Sequence, residues 1–141
     1  MRIADVLRTK GDKVATAEPD TSLTEILGLM ASHNIGALPV VEGGRLVGIV
    51  SERDVVRHLH ARGPDVLAGP ISDVMTEEVV TCAPDDAAEG LARIMTDRRI
   101  RHIPVCRDGV LCGIVSIGDL VKARIDQLEN EREQLASYIN S

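Results

Sequence analysis

Phenylalanine and tryptophan are absent from this chain of 141 residues, and tyrosine occurs once. Any core must be assembled from Val, Ile, Leu, Ala and Met, and the aromatic platforms on which single-stranded nucleic acids stack are missing. Cations are in deficit: 16 Lys and Arg stand against 22 Asp and Glu, a net charge of −6 that repels phosphate backbones and anionic lipid at long range. This argues against nucleic-acid and membrane partners. The longest apolar runs, such as Ile35 to Val41, fall far short of the ~20 residues of a membrane span, and Met1 to Lys13 has no signal-peptide-like apolar stretch. The expectation is a soluble, cytoplasmic protein.

Cysteine is also scarce. Cys82, Cys106 and Cys112 form no CxxC pair and are odd in number, so neither a disulfide framework nor a zinc site is indicated. A two-residue hairpin loop at Asp108-Gly109 would pair Cys106 with Leu111 and Val105 with Cys112, setting the two thiols on opposite faces. His58 and His60 are two apart on a helix and do not share a face, so they read as solvated rather than metal-binding. There is no Walker A loop, no GxGxxG, no HExxH, and no nucleophile with a base at a characteristic spacing, so an enzyme is not expected.

What the chain does have is a repeat. "GIVSERDVVR" at Gly48 to Arg57 returns as "GIVSIGDLVK" at Gly113 to Lys122, 65 positions on, and sliding the whole sequence by that amount aligns residues 14–57 with 79–122 without a gap, 16 of 44 positions being identical. A weaker echo, "IADVL" at Ile3 and "ISDVM" at Ile71, precedes the copies at a spacing of 68. Each copy reads as an extended start (Val14 to Thr16; Val79 to Thr81) ending at Pro19 or Pro84, where proline suits a helix's first turn. The first helix follows from apolar residues at i, i+3, i+4 and i+7: Leu23, Ile26, Leu27 and Met30, or Ala88, Leu91, Ala92 and Met95. Two short strands come next, joined by "EGG" or "RDG", and a second helix begins at the Ser of Gly-Ile-Val-Ser. A unit of about 60 residues buries little surface alone. The fold expected is therefore α/β (α+β): tandem β-α-β-β-α repeats packed with pseudo-twofold symmetry, plus a long C-terminal helix.

This ordered set, repeated in register, resembles the CBS motif, and the chain resembles a stand-alone CBS-domain pair, or Bateman module, from Ile3 to about Arg124. The resemblance divides the chain into motif 1 (1–67), motif 2 (68–124) and an amphipathic helical extension (125–141). It implies a non-enzymatic sensor that needs no cofactor and takes an adenosine nucleotide (AMP, ADP, ATP or NAD) as regulatory ligand in clefts between its halves. It also implies a homodimer whose change of shape is read by a downstream protein partner that the sequence does not name.

Two readings of the Ser-x-x-Asp phrase stand side by side. Ser51 and Ser116 directly before a helix, with Asp54 and Asp119 three residues on, are helix caps in their own right, worth roughly 0.5 to 2 kcal/mol each. On this reading the chain is a structural dimerisation scaffold with empty clefts. On the other, a strand-to-helix junction gathers free amides for a phosphate while the Asp accepts from a ribose diol. By resemblance, Ser51, Arg53 and Asp54 would then face Val79, Val80, Thr81 and the strand Ile100, Arg101, His102 to Pro104, while Ser116 and Asp119 would face Val14, Ala15, Thr16 and Ile35, Gly36, Ala37 to Pro39. The clefts should differ, because Arg98, Arg99, Arg101 and His102 stand where the first copy has His33, Asn34, Gly36 and Ala37.

From Val121 on, Val121, Ile125, Leu128, Arg132, Leu135 and Ile139 form an a/d series broken by one Arg, in a segment with no Gly or Pro. Such a helix either packs on its own domain or pairs with a second subunit's tail, and two to three heptads are too few for a coiled coil alone.

Overall fold

The computed structural model describes residues 1–11 and 13–140. Asp12, and Ser141 at the end of the expected extension, lie outside them. Among the described residues the order is α1 (Ile3–Lys10), α2 (Leu23–His33), β1 (Ala37–Glu42), β2 (Arg45–Ser51), α3 (Glu52–Arg62), two 3₁₀ turns (Pro64–Ala68 and Ile71–Asp73), α4 (Ala88–Arg98), β3 (His102–Arg107), β4 (Val110–Ser116) and α5 (Ile117–Asn140). The strands form one antiparallel sheet in the order β1-β2-β4-β3.

Each hairpin closes through two residues of positive φ, Gly43-Gly44 (59° and 80°) and Asp108-Gly109 (53° and 81°). That backbone matches the twist of the flanking strands. Where the hairpins meet, Leu46 N donates to Gly109 O and Leu111 N to Gly44 O, both at 3.2 Å. The two bonds exchange under the 65-residue offset, which fixes a pseudo-twofold axis between Arg45 and Val110, the one residue pair joining β2 to β4.

Three expectations need correcting. The extended starts make no full strand: each contributes a single parallel bridge one residue later, Ala17 to Val40 and Cys82 to Val105. Only one residue on each start reaches the outer edge of β1 or β3. Pro19 and Pro84 are not in a helix's first turn, because α2 and α4 begin at Leu23 and Ala88; their carbonyls instead accept Ser72 N and Ala4 N. In the second hairpin Cys106 does pair with Leu111, but Val105 pairs with Gly113 and not Cys112, because a bulge inserts one residue there. Cys112 is that residue, so the face assignment drawn from an unbroken ladder lapses. The charge of Cys112 in fact adds to burial in raising the Cys106 thiol. Cys82 is pushed up to about 12, mainly by burial.

The echoes at Ile3 and Ile71 cross over. Ile71 and Val74 are buried in the core built from α2, β1 and β2, whereas Ile3 and Val6 are buried in the core of the other half, with Leu91, Met95, Ile103 and Leu120. Matching bonds seat them: Ile71 N to Thr21 O and Ser72 N to Pro19 O in one half, Ile3 N to Asp86 O and Ala4 N to Pro84 O in the other.

The last helix starts at Ile117, is unbroken for 24 residues, and outruns the body. Every residue from Leu128 to Asn140 is exposed, so this part does not pack on its own domain. Val121, Ile125, Leu128, Leu135 and Ile139 all face solvent, as does Val56, the repeat mate of Val121.

Candidate functional site

Two clefts of about 340 and 330 Å³ lie at repeat-matched positions. The first is lined by Leu27, Met30, Ala31, Asn34, Ile35, Gly36 and Glu52. The second is lined by Met95, Thr96, Arg99, Ile100, Arg101 and Ile117, with Arg53 reaching in from α3 of the other half. The shared frame is the same amide bond at each, Glu52 N to Gly36 O (3.0 Å) and Ile117 N to Arg101 O (2.9 Å). The side chains invert the charge. Glu52 lies over Gly36, its Cδ 3.2 Å from where a Cβ would stand, whereas the second cleft carries three arginines. Arg99 is also the αL residue ending α4 (φ 54°), a conformation that its mate Asn34 (φ 53°) adopts more readily.

The Ser-x-x-Asp phrases form reciprocal caps. Asp54 N donates to Ser51 Oγ (3.3 Å), while Ser51 N and Ser51 Oγ donate to Asp54 Oδ2 (2.9 and 3.0 Å). In the second repeat Asp119 N donates to Ser116 Oγ (3.1 Å) and Ser116 N to Asp119 Oδ2 (2.8 Å). A Ser accepting from the third amide while an acid reaches back to the cap's own amide satisfies two orphan donors at once.

Beyond the caps the repeats diverge. Thr76 forms a two-bond bridge with Ile49 and donates its hydroxyl to Asp54 Oδ1 at 3.1 Å. Among the described residues no hydroxyl takes this place at Asp119. Its partner is Lys10, whose Nζ donates to Asp119 Oδ2 at 2.6 Å and to Ile114 O at 2.7 Å. Burial raises the Asp119 carboxyl, but the bonds from Lys10 and Ser116 and the Lys10 charge outweigh it and hold the group below its ordinary range. Nearby His102 is half-buried; burial, then the charges of Lys10 and Arg101, hold its imidazole below the ordinary value despite Asp119 and Glu52.

The expected groupings are met in pieces. Arg53 shares a cleft with Ile100 and Arg101. Ser51, however, is aligned with Ala37 of its own repeat and Ser116 with His102. Val14, Ala15, Val79 and Val80 are half-buried, and Thr16 and Thr81 are exposed. Pro39 and Pro104 are buried in the edge strands, their carbonyls taken by Ala17 N and Cys82 N. Sequence reasoning missed Glu52, Thr76 and Lys10. The mismatch Glu52/Ile117 inside the repeated phrase was a usable signal for the first; the other two lie outside the aligned block and left none.

The CBS-domain profile matches residues 3–61 and 71–126, and the chain belongs to that family. It is 36% identical to the mitochondrial CBS domain-containing protein CBSX3 of Arabidopsis thaliana over 146 residues, covering 97% of this chain and 71% of that one. The crystal structure of the CBS-domain protein ATU1752 from Agrobacterium tumefaciens superposes with a TM-score of 0.83 at 42% identity, covering 88% of this chain and 99% of that one. The CBS domain pair of protein MJ0100, solved with 5′-methylthioadenosine and S-adenosyl-L-methionine, gives 0.78 at 27% identity, covering 90% and 98%. The chain is thus a tandem CBS pair. No helix among the described residues is long and apolar enough to cross a membrane.

Proposed function

We propose that this CBS pair is a non-catalytic regulatory module that binds an adenosine nucleotide (AMP, ADP, ATP or a NAD-type ligand) between its motifs and signals by a change of shape. The observation that carries the reading is the second cleft. In a chain of net charge −6, Arg53, Arg99 and Arg101 converge on one concavity whose repeat mate carries Glu52 instead. Such a cluster suits an anion. Asp54, beside Arg53 in the first turn of α3, would supply the acceptor for ribose hydroxyls there, and Asp119 the acceptor on the other side. That a relative of similar fold holds adenosyl compounds supports the ligand class. The serines are committed to capping and are not poised as nucleophiles.

Ligand binding biases the arrangement of halves or subunits only by its differential affinity for the alternatives. The exposed apolar line on α5, with Val56 and Val121 related by the pseudo-twofold, fits a homodimer, and a separate protein partner would read the output. Three free cysteines fit a reducing compartment such as the cytoplasm.

The rival reading is a dimerisation scaffold, favoured by one observation: the reciprocal caps account for Ser51 and Asp54 without any ligand. Calorimetry with AMP, ADP, ATP, NAD and S-adenosylmethionine decides. Micromolar binding, about 8 kcal/mol, supports the sensor. No heat with any of them up to millimolar concentration leaves the scaffold.

A further inference from the structure

Building on the nucleotide-sensor reading, we propose that the two clefts take ligands of opposite charge: the arginine-lined second cleft an adenosine phosphate, and the first cleft an adenosyl compound ending in a cation, with Glu52 the specificity-determining residue that selects it.

The clefts share an apolar floor and differ in every charged residue. Met30 and Ile35 of the first return as Met95 and Ile100 of the second, so both offer the same surface to a ring. Each charge, by contrast, has a neutral repeat mate. Arg99 stands where the first copy has Asn34, Arg101 where it has Gly36, and Arg53 is matched by Gly118 and Glu52 by Ile117. Among the lining residues, the second cleft therefore has three cations and no anion, and the first has one anion and no cation. Glu52 and Arg53 are neighbours at the start of α3, so one helix end supplies the anion of one cleft and a cation of the other.

Gly36 makes the room that Glu52 occupies. Both carboxylate oxygens lie where a side chain would otherwise begin, 3.3 and 3.5 Å from the position of a Cβ, and a larger residue there would push the carboxylate aside. Among the described residues no ion pair takes up Glu52 or any of the three arginines, so each acts on whatever enters its cleft. A phosphate in the first cleft meets a carboxylate and no compensating cation. An ammonium there gains a charge-assisted hydrogen bond, whereas in the second cleft it meets three like charges.

Calorimetry on the full chain in low-salt buffer tests this with three probes that differ only at the 5′ position: AMP, adenosine, and 5′-amino-5′-deoxyadenosine, which carries an ammonium. The wild type should take AMP and the amine together, neither displacing the other. Glu52→Gln should weaken the amine about three- to tenfold while AMP affinity holds or rises, and Arg101→Gln should do the reverse. Adenosine should change little in either variant. These opposite responses also show that both variants fold. All four charged side chains are exposed, so both effects should shrink at high salt. Displacement of the amine by AMP, failure of the amine to bind, or an amine affinity that Glu52→Gln leaves unchanged or lowers in step with that of AMP overturns the role of Glu52 while leaving the sensor intact. A wild type that binds none of the probes overturns the sensor and this assignment together.

Discussion

Thr76 and Asp54, 22 residues apart, meet side chain to side chain at 3.1 Å, and the group that answers for Thr76 in the other half is Lys10. Neutral hydroxyl on one side and ammonium on the other means that two related motifs hold repeat-matched aspartates by different chemistry.

Replacement of the aspartates should therefore separate them. Asp54→Ala removes the acceptor of the Ser51 amide, the Ser51 hydroxyl and Thr76, and should cost about 1–3 kcal/mol in urea unfolding. Asp119→Ala should cost a similar amount at low salt and less at high salt, because its partner charge is one-third exposed and screened. Either replacement at an occupied cleft should also weaken nucleotide binding at least tenfold. Identical salt dependence in the two variants would contradict the ion-pair role.

His102 predicts a pH effect. Its folded value lies below the ordinary imidazole value of about 6.5, so the unfolded chain takes up the proton first. Stability should fall as the pH drops below that ordinary value and level off beneath the folded one, and His102→Asn should flatten this limb in melts between pH 8 and 5. Asp119 acts in a lower window: its stabilisation is present above the ordinary carboxylate range and lost as the pH falls through its depressed folded value. A bound phosphate favours the imidazolium, so AMP should bind more tightly as the pH falls through the His102 transition.

Arg99 sits at φ 54°, where asparagine is at ease and arginine is not. Arg99→Asn should stabilise the fold by roughly 1 kcal/mol while lowering affinity for a phosphorylated ligand. A gain in stability with unchanged binding would remove Arg99 from the cleft's function.

The two glycines of Gly-Ile-Val-Ser should not tolerate alanine equally. A Cβ at Gly48 would stand 2.7 Å from Met75 Sδ and 3.1 Å from the Thr76 carbonyl, which is fixed backbone. At Gly113 the nearest atoms are the ends of Leu7, at 2.9 and 3.0 Å, which can turn aside. Gly48→Ala should cost about 1–3 kcal/mol and Gly113→Ala less; thermal melts check the order.

The overhanging helix supplies the last expectation. Removing residues 128–140 should scarcely change the melting of an isolated protomer, because nothing there is buried. Leu135→Glu with Ile139→Glu should weaken self-association. A particle of about 15 kDa by light scattering of the unaltered chain would refute the dimer.

Local signals carried most of this architecture. Leu23, Ile26 and Met30 are buried in the core as helical spacing predicts, with Leu27 half-buried at the cleft, and Gly43-Gly44 and Asp108-Gly109 close hairpins through conformations few other residues accept. The charge contrast between Arg101 and Gly36 could also be read directly. What stayed hidden was set by distance along the chain. A one-residue bulge at Cys112 leaves no mark in an alternating pattern, and Lys10 meets Asp119 across 109 positions from the end of α1, outside the aligned repeat. Thr76 was invisible for the same reason.

The crossed seating of Ile3 and Ile71 sets an order on synthesis. The first half can close once the ribosome has delivered Val74, since its own lid is the segment that follows it. The second half must wait for a piece made long before: Ile3 and Val6 stay uncovered until Leu91, Ile103 and Leu120 exist to receive them. Contacts of such separation are slow to form because the loop must close before they can reward it. The early segment, eight residues and too short to hold a helix alone, thus waits through most of translation, and its docking ties the start of the chain to the half made last.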